Sequence, residues 1–271
     1  MGIIGTGLDL THPDFRKFSI NAFSLLGKDT RDLVGHETAV TWLLTRIAPE
    51  ADFIVVKDRN SSFGFMSLLI DACERLRQLG VQVINISSTT LEPTDGTDPV
   101  SSEANYLAEH GVTVVAAAGN GGPRLQTVGA PGAAELAVTV GKVNSRDIVA
   151  DKSARGPTLD GRLKPDCLAP GVSIAAAMSA SLNQGLYGLV SCTSIAAPHV
   201  AGLAVLLKEA YPNATPDQLK QAIMESCDPV KVPYLNRFRS GNSKWATGSG
   251  RVNALHAYEK LREVGESKNS S

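Results

Sequence analysis

The residues with the clearest chemical potential lie at the start of one apolar segment. Residues 191–207 read SCTSIAAPHVAGLAVLL, and from Ile195 onward nearly every side chain is apolar or small. A helix without a polar face belongs in a protein core, and Pro198 is expected in its first turn, where a missing N–H costs little. Ser194 then lies at the positive end of the helix dipole, which favours a developing oxyanion and hence acyl transfer. The alternative is a structural helix cap, a common position for serine.

The same segment resembles the nucleophile segment of the subtilisin-like serine proteases, whose pattern is G-T-S-M-A-x-P-H-V-A-G. The matching positions are Thr193, Ser194, Ala196, Pro198, His199, Val200, Ala201 and Gly202. The chain departs from the pattern at Cys192, where the family has glycine, and mildly at Ile195. The resemblance implies that Ser194 is the nucleophile of a peptide-bond hydrolase.

Two N-terminal segments resemble the other triad regions of that family. Residues 3–14 (IIGTGLDLTHPD) resemble V-x-x-I-D-T-G-I-D-x-x-H-P-D, but Gly5 occupies the position of the catalytic aspartate. Residues 35–40 (GHETAV) resemble G-H-G-T-H-V-A, with Glu37 in place of a glycine. This resemblance implies that His36 is the catalytic histidine. Taken alone, a histidine at a helix start is more often a capping or solvent-facing residue.

The missing carboxylate leaves three alternatives for the support of His36. Glu37 carries the right group, but adjacent residues on a helix do not face each other, so we expect it to lie away from the ring. Asp9 lies past a glycine turn and is expected to point elsewhere. The vacancy at Gly5 could instead admit a small anion or a water. In subtilisin, loss of the aspartate alone costs about 3 × 10⁴ in kcat, less than loss of serine or histidine, so slow hydrolysis is expected to survive.

Residues 114–120 (VVAAAGN) closely resemble the family strand whose asparagine donates to the oxyanion, although an Asn-Gly pair after a strand is otherwise typical of a tight turn. The resemblance implies an oxyanion role for Asn120. It also implies substrate-binding positions at Ser87, Ala118, Gly119 and Thr193. The family's flat Leu-Gly-Gly edge is replaced by Ser88, Thr89 and Thr90. Their side chains are expected to leave less room for a peptide.

No cofactor or metal ion is implied. Asp14 resembles a ligand of the family's calcium loop, but the loop insertion is absent, so we expect no calcium there. The chain has 271 residues, a net charge of −1 and 43% hydrophobic residues. This ordinary globular composition gives no electrostatic case for nucleic acid or a membrane surface, and its apolar runs are too short to span a bilayer. The expected partner is a polypeptide substrate or a protein ligand.

The cysteines are scattered without metal-ligand spacing, at Cys73, Cys167, Cys192 and Cys227. The sequence begins directly with strand-like residues and shows no secretory signal. We therefore expect free thiols and a cytoplasmic location. Cys192 either makes the site sensitive to oxidation or alkylation, or is a buried filler, the more usual role of a free cysteine.

The elements that must position these residues alternate along the chain. Strands are expected at 52–57, 81–87, 112–118 and 136–141, and helices at 65–79, 98–110 and from a capping box at Thr215 to about Glu225. Residues 245–252 and 253–264 resemble the closing strand and the final helix of the subtilisin-like family. This order predicts one parallel sheet covered on both faces. The resemblance implies the subtilisin-like three-layer α/β/α fold with a mostly parallel central sheet. We expect one peptidase domain over 1–264, without pro-segment or N-terminal helices, and a disordered tail over 265–271.

Two functions fit this sequence. The first is a subtilisin-like serine endopeptidase, weakened by the loss of the aspartate, that keeps Ser194, His36 and Asn120. The alternative is a catalytically inactive pseudoprotease that acts as a peptide- or protein-binding module. The departures that favour the alternative cluster around the cleft, at Gly5, Glu37, Cys192 and residues 88–90.

Overall fold

The centre of the fold is a parallel sheet of short strands, most of which are buried on both faces. The computed structural model describes residues 1–61, 64–182, 185–232 and 243–269, with side chains up to residue 263. Seven strands form this sheet in the order β2-β3-β1-β4-β5-β6-β7, and every neighbouring pair is parallel. They are β1 (Gly2–Gly5), β2 (Ile20–Ser24), β3 (Phe53–Lys57), β4 (Val83–Ile86), β5 (Thr113–Ala117), β6 (Val138–Val143) and β7 (Cys167–Pro170). A separate antiparallel hairpin pairs β8 (Ile174–Ala177) with β9 (Tyr187–Val190).

Helices cover both faces of the sheet. One core contains side chains of α1 (His36–Ile47), α4 (Thr193–Ala210), α5 (Pro216–Glu225) and α7 (Ala254–Asn269). The other contains side chains of α2 (Met66–Gln78) and α3 (Pro99–Glu109). A 3₁₀ helix (Pro13–Lys17) follows β1, and α6 (Lys244–Thr247) is a short turn of helix. None of the described helices combines the length and apolar composition that crossing a membrane requires.

Alternation along the strands explains why each reads as a continuous apolar run. Ile3 and Val55 belong to the core on the α1 and α4 side, whereas their neighbours Ile4 and Val56 belong to the α2 and α3 side. Successive side chains of a strand point to opposite faces, and here both faces are covered. The expected three-layer α/β/α fold with a parallel central sheet is therefore confirmed.

The apolar segment that carries Ser194 is the central helix, as the sequence predicts. Helix α4 contacts α1 and strands β4, β5, β6 and β7. The position of Pro198 in α4 differs from the expectation. Since α4 already begins at Thr193, Pro198 lies beyond the first turn, inside the helix.

The expected closing strand at 245–252 is wrong. The segment contains α6 and then isolated bridges from Arg251 to Leu168 and to Asp228. Gly248 and Gly250 adopt positive φ values of 52° and 128°. These values lie outside the extended region of a strand, so the chain turns where the resemblance to the family's closing strand suggested extension.

The C-terminus also differs from the expectation. The sequence predicts a disordered tail over 265–271, whereas α7 continues to Asn269. Residues 270–271 lie outside the described residues. The capping box at the start of α5 agrees with the expectation, since the side chains of Thr215 and Gln218 each accept from the other residue's backbone N–H.

Candidate active site

The predicted site residues converge at one edge of the sheet. Strands β1, β4 and β5 are neighbours and end at Gly5, Ile86 and Ala117. The chain starts in β1 and places β3 on one side of it and β4 on the other. Such a switch point leaves a crevice beyond the carboxyl ends of the strands. His36 and Ser194 both line a cavity of about 190 Å³ there.

Ser194 lies in the first turn of α4, and its carbonyl has an unusual partner. In an ordinary helix this carbonyl accepts from the N–H four residues later, but that residue is Pro198, which has no N–H. Ser87 Oγ donates to the Ser194 carbonyl instead, at 2.8 Å. Asn85 Nδ2 in turn donates to Ser87 Oγ at 2.8 Å. The backbone of Ser194 is thereby fixed to the end of β4.

His36 is the first residue of α1, and a buried aspartate holds the turn that presents it. Gly35 precedes it in the left-handed region, at φ 82°, and has no side chain to cap the helix. Asp32, fully buried, replaces the missing cap by accepting from the N–H groups of Gly35 at 2.7 Å and Thr38 at 2.9 Å. The His36 side chain is 31% exposed and faces the cavity.

Glu37 contacts His36, contrary to the sequence expectation. Glu37 Oε2 lies in hydrogen-bond contact with His36 Nδ1, and its side chain is only 1% exposed. A Cβ built on Gly5 would lie 2.6 Å from Cγ and from Oε1 of Glu37. The space left by the absent side chain at position 5 is therefore filled by Glu37. The expected vacancy for a small anion or water is corrected accordingly.

The charges around His36 favour its protonated form. Burial alone lowers the pKa of the imidazole, but the charge and hydrogen bond of Glu37, together with the charge of Asp32, outweigh burial and raise it. The Arg59 guanidinium opposes this effect. His36 is therefore a stronger base than an ordinary histidine.

Asp9, the other alternative carboxylate, points away from His36 as expected. Its Oδ2 accepts from the N–H of Ala180 at 2.7 Å, and its Oδ1 accepts from the N–H of Thr11 at 3.0 Å. These contacts tie the turn after β1 to the segment that follows β8.

Asn120 follows β5, and two partners fix the orientation of its amide. Lys142 Nζ donates to Asn120 Oδ1 at 2.6 Å, and the Thr193 N–H donates to the same oxygen at 3.1 Å. Because the oxygen is engaged, the Nδ2 donors of Asn120 point elsewhere, and no described residue accepts from them. Oriented N–H donors without a protein acceptor are what an oxyanion requires. Burial lowers the pKa of Lys142, whose side chain is 3% exposed.

The four predicted substrate-binding residues are all buried at this edge. Gly119 donates its N–H to Thr193 Oγ1 at 3.2 Å, which ties the end of β5 to the start of α4. Ala118 is fully buried, so neither its methyl group nor its backbone is exposed to a peptide in this structure. Ser87 lines the cavity and supports the Ser194 backbone as described above.

The edge formed by Ser88, Thr89 and Thr90 faces open space. Ser88 and Thr89 line the 190 Å³ cavity, and all three residues line an adjacent cavity of about 290 Å³. Thr90 turns its hydroxyl inward, where it accepts from the N–H of Ala130 at 2.8 Å. No backbone hydrogen bond joins Ser88 to another described residue. The expectation that these side chains leave less room for a peptide stays a prediction.

Asp14, the former calcium-ligand position, is engaged by other side chains. Trp42 Nε1 donates to its Oδ2 at 2.6 Å, Tyr187 donates at 3.0 Å, and Arg46 forms an ion pair with it. Led by the Trp42 hydrogen bond, these contacts lower the pKa of Asp14. Within the described ranges, no three His, Cys, Asp or Glu side chains are arranged to hold a metal ion.

Three site residues escaped the sequence analysis, namely Asp32, Lys142 and Arg59. Lys142 carried a readable signal, since a lysine inside the otherwise apolar strand β6 must find a buried partner. Arg59 is paired with Asp58, with 2.7 Å between Nε and Oδ1, and it lines both cavities. Asp32 carried no signal, because its role depends on the left-handed turn that follows it.

Cys192 lies beside Ser194. Burial raises the pKa of its thiol, although hydrogen bonding to Ser194 and the charge of Lys142 act in the opposite direction. All four cysteines of the chain are free. The thiol therefore interacts both with Ser194 and with the lysine that holds Asn120.

The fold and this arrangement of side chains define a subtilisin-like protein. The model of the subtilase family (peptidase S8) matches residues 1–250, and the chain belongs to that family. Serine protease AprX of Bacillus subtilis (strain 168) is 33% identical over 222 residues, which cover 72% of this chain and 50% of AprX. A thermophilic serine proteinase of Bacillus sp. (strain AK1) is 32% identical over 250 residues, 85% of this chain and 56% of that protein. The chain thus spans about half the length of these relatives.

Solved structures show the same fold. The self-cleaved protease domain of PatA superposes with a TM-score of 0.78 at 24% identity, covering 97% of this chain and 96% of that one. A cold adapted subtilisin-like serine proteinase superposes with a TM-score of 0.73 at 24% identity, over 93% and 85% of the two chains. At these identities the likeness establishes the architecture.

Proposed function

We propose that this protein is a serine endopeptidase that hydrolyses peptide bonds, with Ser194 as nucleophile, His36 as general base and Asn120 as oxyanion donor. The observation that carries the proposal is the shared cavity of Ser194 and His36, next to an open strand edge. Membership of the subtilase family supports it. No hydrogen bond joins Ser194 Oγ to His36 among the described residues; such bonds are often long without substrate and tighten when it binds.

The proposed reaction follows from these positions. Ser194 Oγ attacks the peptide carbonyl while His36 Nε2 accepts the hydroxyl proton. Asn120 Nδ2 and the Ser194 N–H donate to the oxyanion of the tetrahedral intermediate. His36 then gives the proton to the leaving amine, and a water molecule, activated by the same base, hydrolyses the acyl-enzyme.

Labelling with a fluorophosphonate, read by intact mass, tests the nucleophile. The unmodified chain should gain one phosphonyl group, and Ser194→Ala should gain none. Asn120→Ala should lower peptide hydrolysis by about 10²–10³ in kcat, the usual cost of one oxyanion donor. If the unmodified chain stays unlabelled while it is folded, the endopeptidase proposal is wrong.

A catalytically silent peptide-binding module is the second candidate. The Cys192 thiol favours it, because it contacts Ser194 next to the N–H that would donate to the oxyanion. Cys192→Gly separates the two candidates. If this variant reacts with the fluorophosphonate and the unmodified chain does not, the thiol blocks the site, and binding is the better description.

A further inference from the structure

We propose that Glu37 is the carboxylate that orients His36 during catalysis, and that glycine at position 5 makes room for it. The inference rests on the endopeptidase function proposed above. It makes Glu37 a positioning residue, because Glu37 acts on substrate only through His36. In the family pattern this carboxylate extends from the end of β1, whereas here it extends from the second residue of α1.

The Glu37 side chain is long enough to reach the imidazole of His36. Glu37 Oε2 contacts Nδ1 of the imidazole, which leaves Nε2 free for the nucleophile, as a triad requires. The backbone N–H of Glu37 donates to Thr6 Oγ1 at 3.2 Å. This bond anchors the first turn of α1 to the end of β1. The glutamate side chain has enough rotatable bonds to turn back toward the preceding residue, which a rule for mid-helix neighbours does not consider.

Glu37 occupies the space that a side chain at position 5 would need. A Cβ at Gly5 would stand 2.6 Å from Cγ and Oε1 of Glu37, closer than a carbon atom approaches a nonbonded heavy atom. A side chain at position 5 and the observed position of Glu37 therefore exclude each other. The two departures from the family pattern, Gly5 and Glu37, therefore form one exchange. The carboxylate is attached to position 37 instead of position 5, and it occupies the same space beside His36.

The charge of the Glu37 carboxylate favours the protonated form of His36. Glu37 Oε1 is buried without a hydrogen-bond partner among the described residues. A carboxylate in such surroundings gains most from a cation at its other oxygen. The charged groups that act on His36 are Glu37, Asp32 and Arg59, and among the described residues Glu37 alone is hydrogen-bonded to the ring. An imidazolium formed during the reaction would therefore be stabilised mainly by Glu37.

A purely structural role for Glu37 predicts different behaviour. An acidic residue in the first turn of a helix stabilises it through the helix dipole, and loss of that contribution changes stability alone. Loss of an orienting carboxylate lowers kcat and moves the acid limb of the pH profile, with KM nearly unchanged. The two roles are therefore distinguishable by kinetics.

The experiment compares peptide hydrolysis by the parent, Glu37→Gln, Glu37→Gly and Gly5→Asp/Glu37→Gly. We expect Glu37→Gln to lower kcat by about 10⁴-fold, as in other triads that lose their carboxylate, and to move the acid limb to lower pH. Gly5→Asp/Glu37→Gly should regain at least about tenfold over Glu37→Gly, as expected when an orienting carboxylate returns. Glu103→Gln is the matched control, since Glu103 Oε1 is also buried without a described partner, and its activity should equal that of the parent.

A second measurement separates this inference from the proposed function. The pKa of His36 is followed by NMR in Ser194→Ala, with its signal among the five histidines assigned by loss in His36→Gln. Adding Glu37→Gln should lower that pKa. An unchanged His36 pKa, or an unchanged kcat and acid limb in Glu37→Gln, overturns the inference. Absence of Ser194-dependent hydrolysis in the parent overturns the endopeptidase proposal instead.

Discussion

Placing an aspartate at position 5, where the family has its triad carboxylate, should destabilise this protein. Gly5 does not adopt a positive φ, so its backbone accepts a side chain, and the three atoms nearest to the new Cβ all belong to Glu37. The new Cβ would start 2.6 Å from Glu37 Cγ and Oε1. Overpacking of a tight interior typically costs about 1–3 kcal/mol. For a chain of this length each kcal/mol lowers Tm by about 2–4 °C, so the steric part amounts to about 2–12 °C.

Charge adds to this cost at neutral pH. Two carboxylates at close range raise the pKa of one of them. A carboxyl whose pKa is higher in the folded than in the unfolded state destabilises the fold above that pKa, and the penalty disappears below the unfolded value of about 4. Gly5→Asn carries the same bulk without the charge. Gly5→Asp should therefore unfold at a lower temperature than Gly5→Asn at pH 7, and at nearly the same temperature at pH 4.

The assay is thermal unfolding, followed by circular dichroism, of the parent and the two single and one double variant of Gly5→Asp and Glu37→Gly. Because the two sites share one volume, the cycle should show a coupling free energy of about 1–3 kcal/mol, with the double variant more stable than the sum of the singles predicts. Additive effects within about 0.5 kcal/mol would mean that the side chains do not compete for that volume. Gly5 and Glu37 would then not be two parts of one exchange.

Three further substitutions test the supports of the site. Lys142→Met should lower kcat by about 10–100-fold with little change in KM, because Asn120 loses the ammonium that orients its donors; Tm should not fall, since a buried charge is replaced by an apolar side chain. Ser87→Ala leaves the Ser194 carbonyl without a partner and should cost about 1–3 kcal/mol, read by thermal unfolding. Alkylation of Cys192 should abolish hydrolysis, slowly at pH 7 and faster as pH rises, since burial raises the pKa of the thiol; a Cys192→Ala enzyme inactivated at the same rate would contradict this.

The order and type of most elements could be predicted from the sequence. Strands buried on both faces have apolar sequences, and a capping box indicates where a helix such as α5 begins. The failure at 245–252 has a local cause. Gly248 and Gly250 take positive φ values, which glycine permits but does not require, so the sequence leaves both an extended and a turned path open.

The site could be predicted as a set of residues but not as a geometry. Ser194, His36 and Asn120 were found because their segments resemble the family's, and they do converge beyond the carboxyl ends of the central strands. The role of Glu37 was missed for a physical reason. Its contact with His36 depends on an empty volume at Gly5, which lies on another element. A rule about neighbours on one helix contains no information about that volume.

The exchange also changes how the departures from the family pattern bear on function. Gly5 and Glu37, counted separately, are a lost carboxylate and an intrusive one, and both favoured a binding module. Counted together, they leave a carboxylate at Nδ1 of the histidine, so neither weakens the case for catalysis. Cys192 and residues 88–90 still separate the two functions, and of these the Cys192 thiol interacts with Ser194 itself. Fluorophosphonate labelling of the unmodified chain beside Cys192→Gly therefore tests the departure nearest to Ser194 that the exchange does not explain.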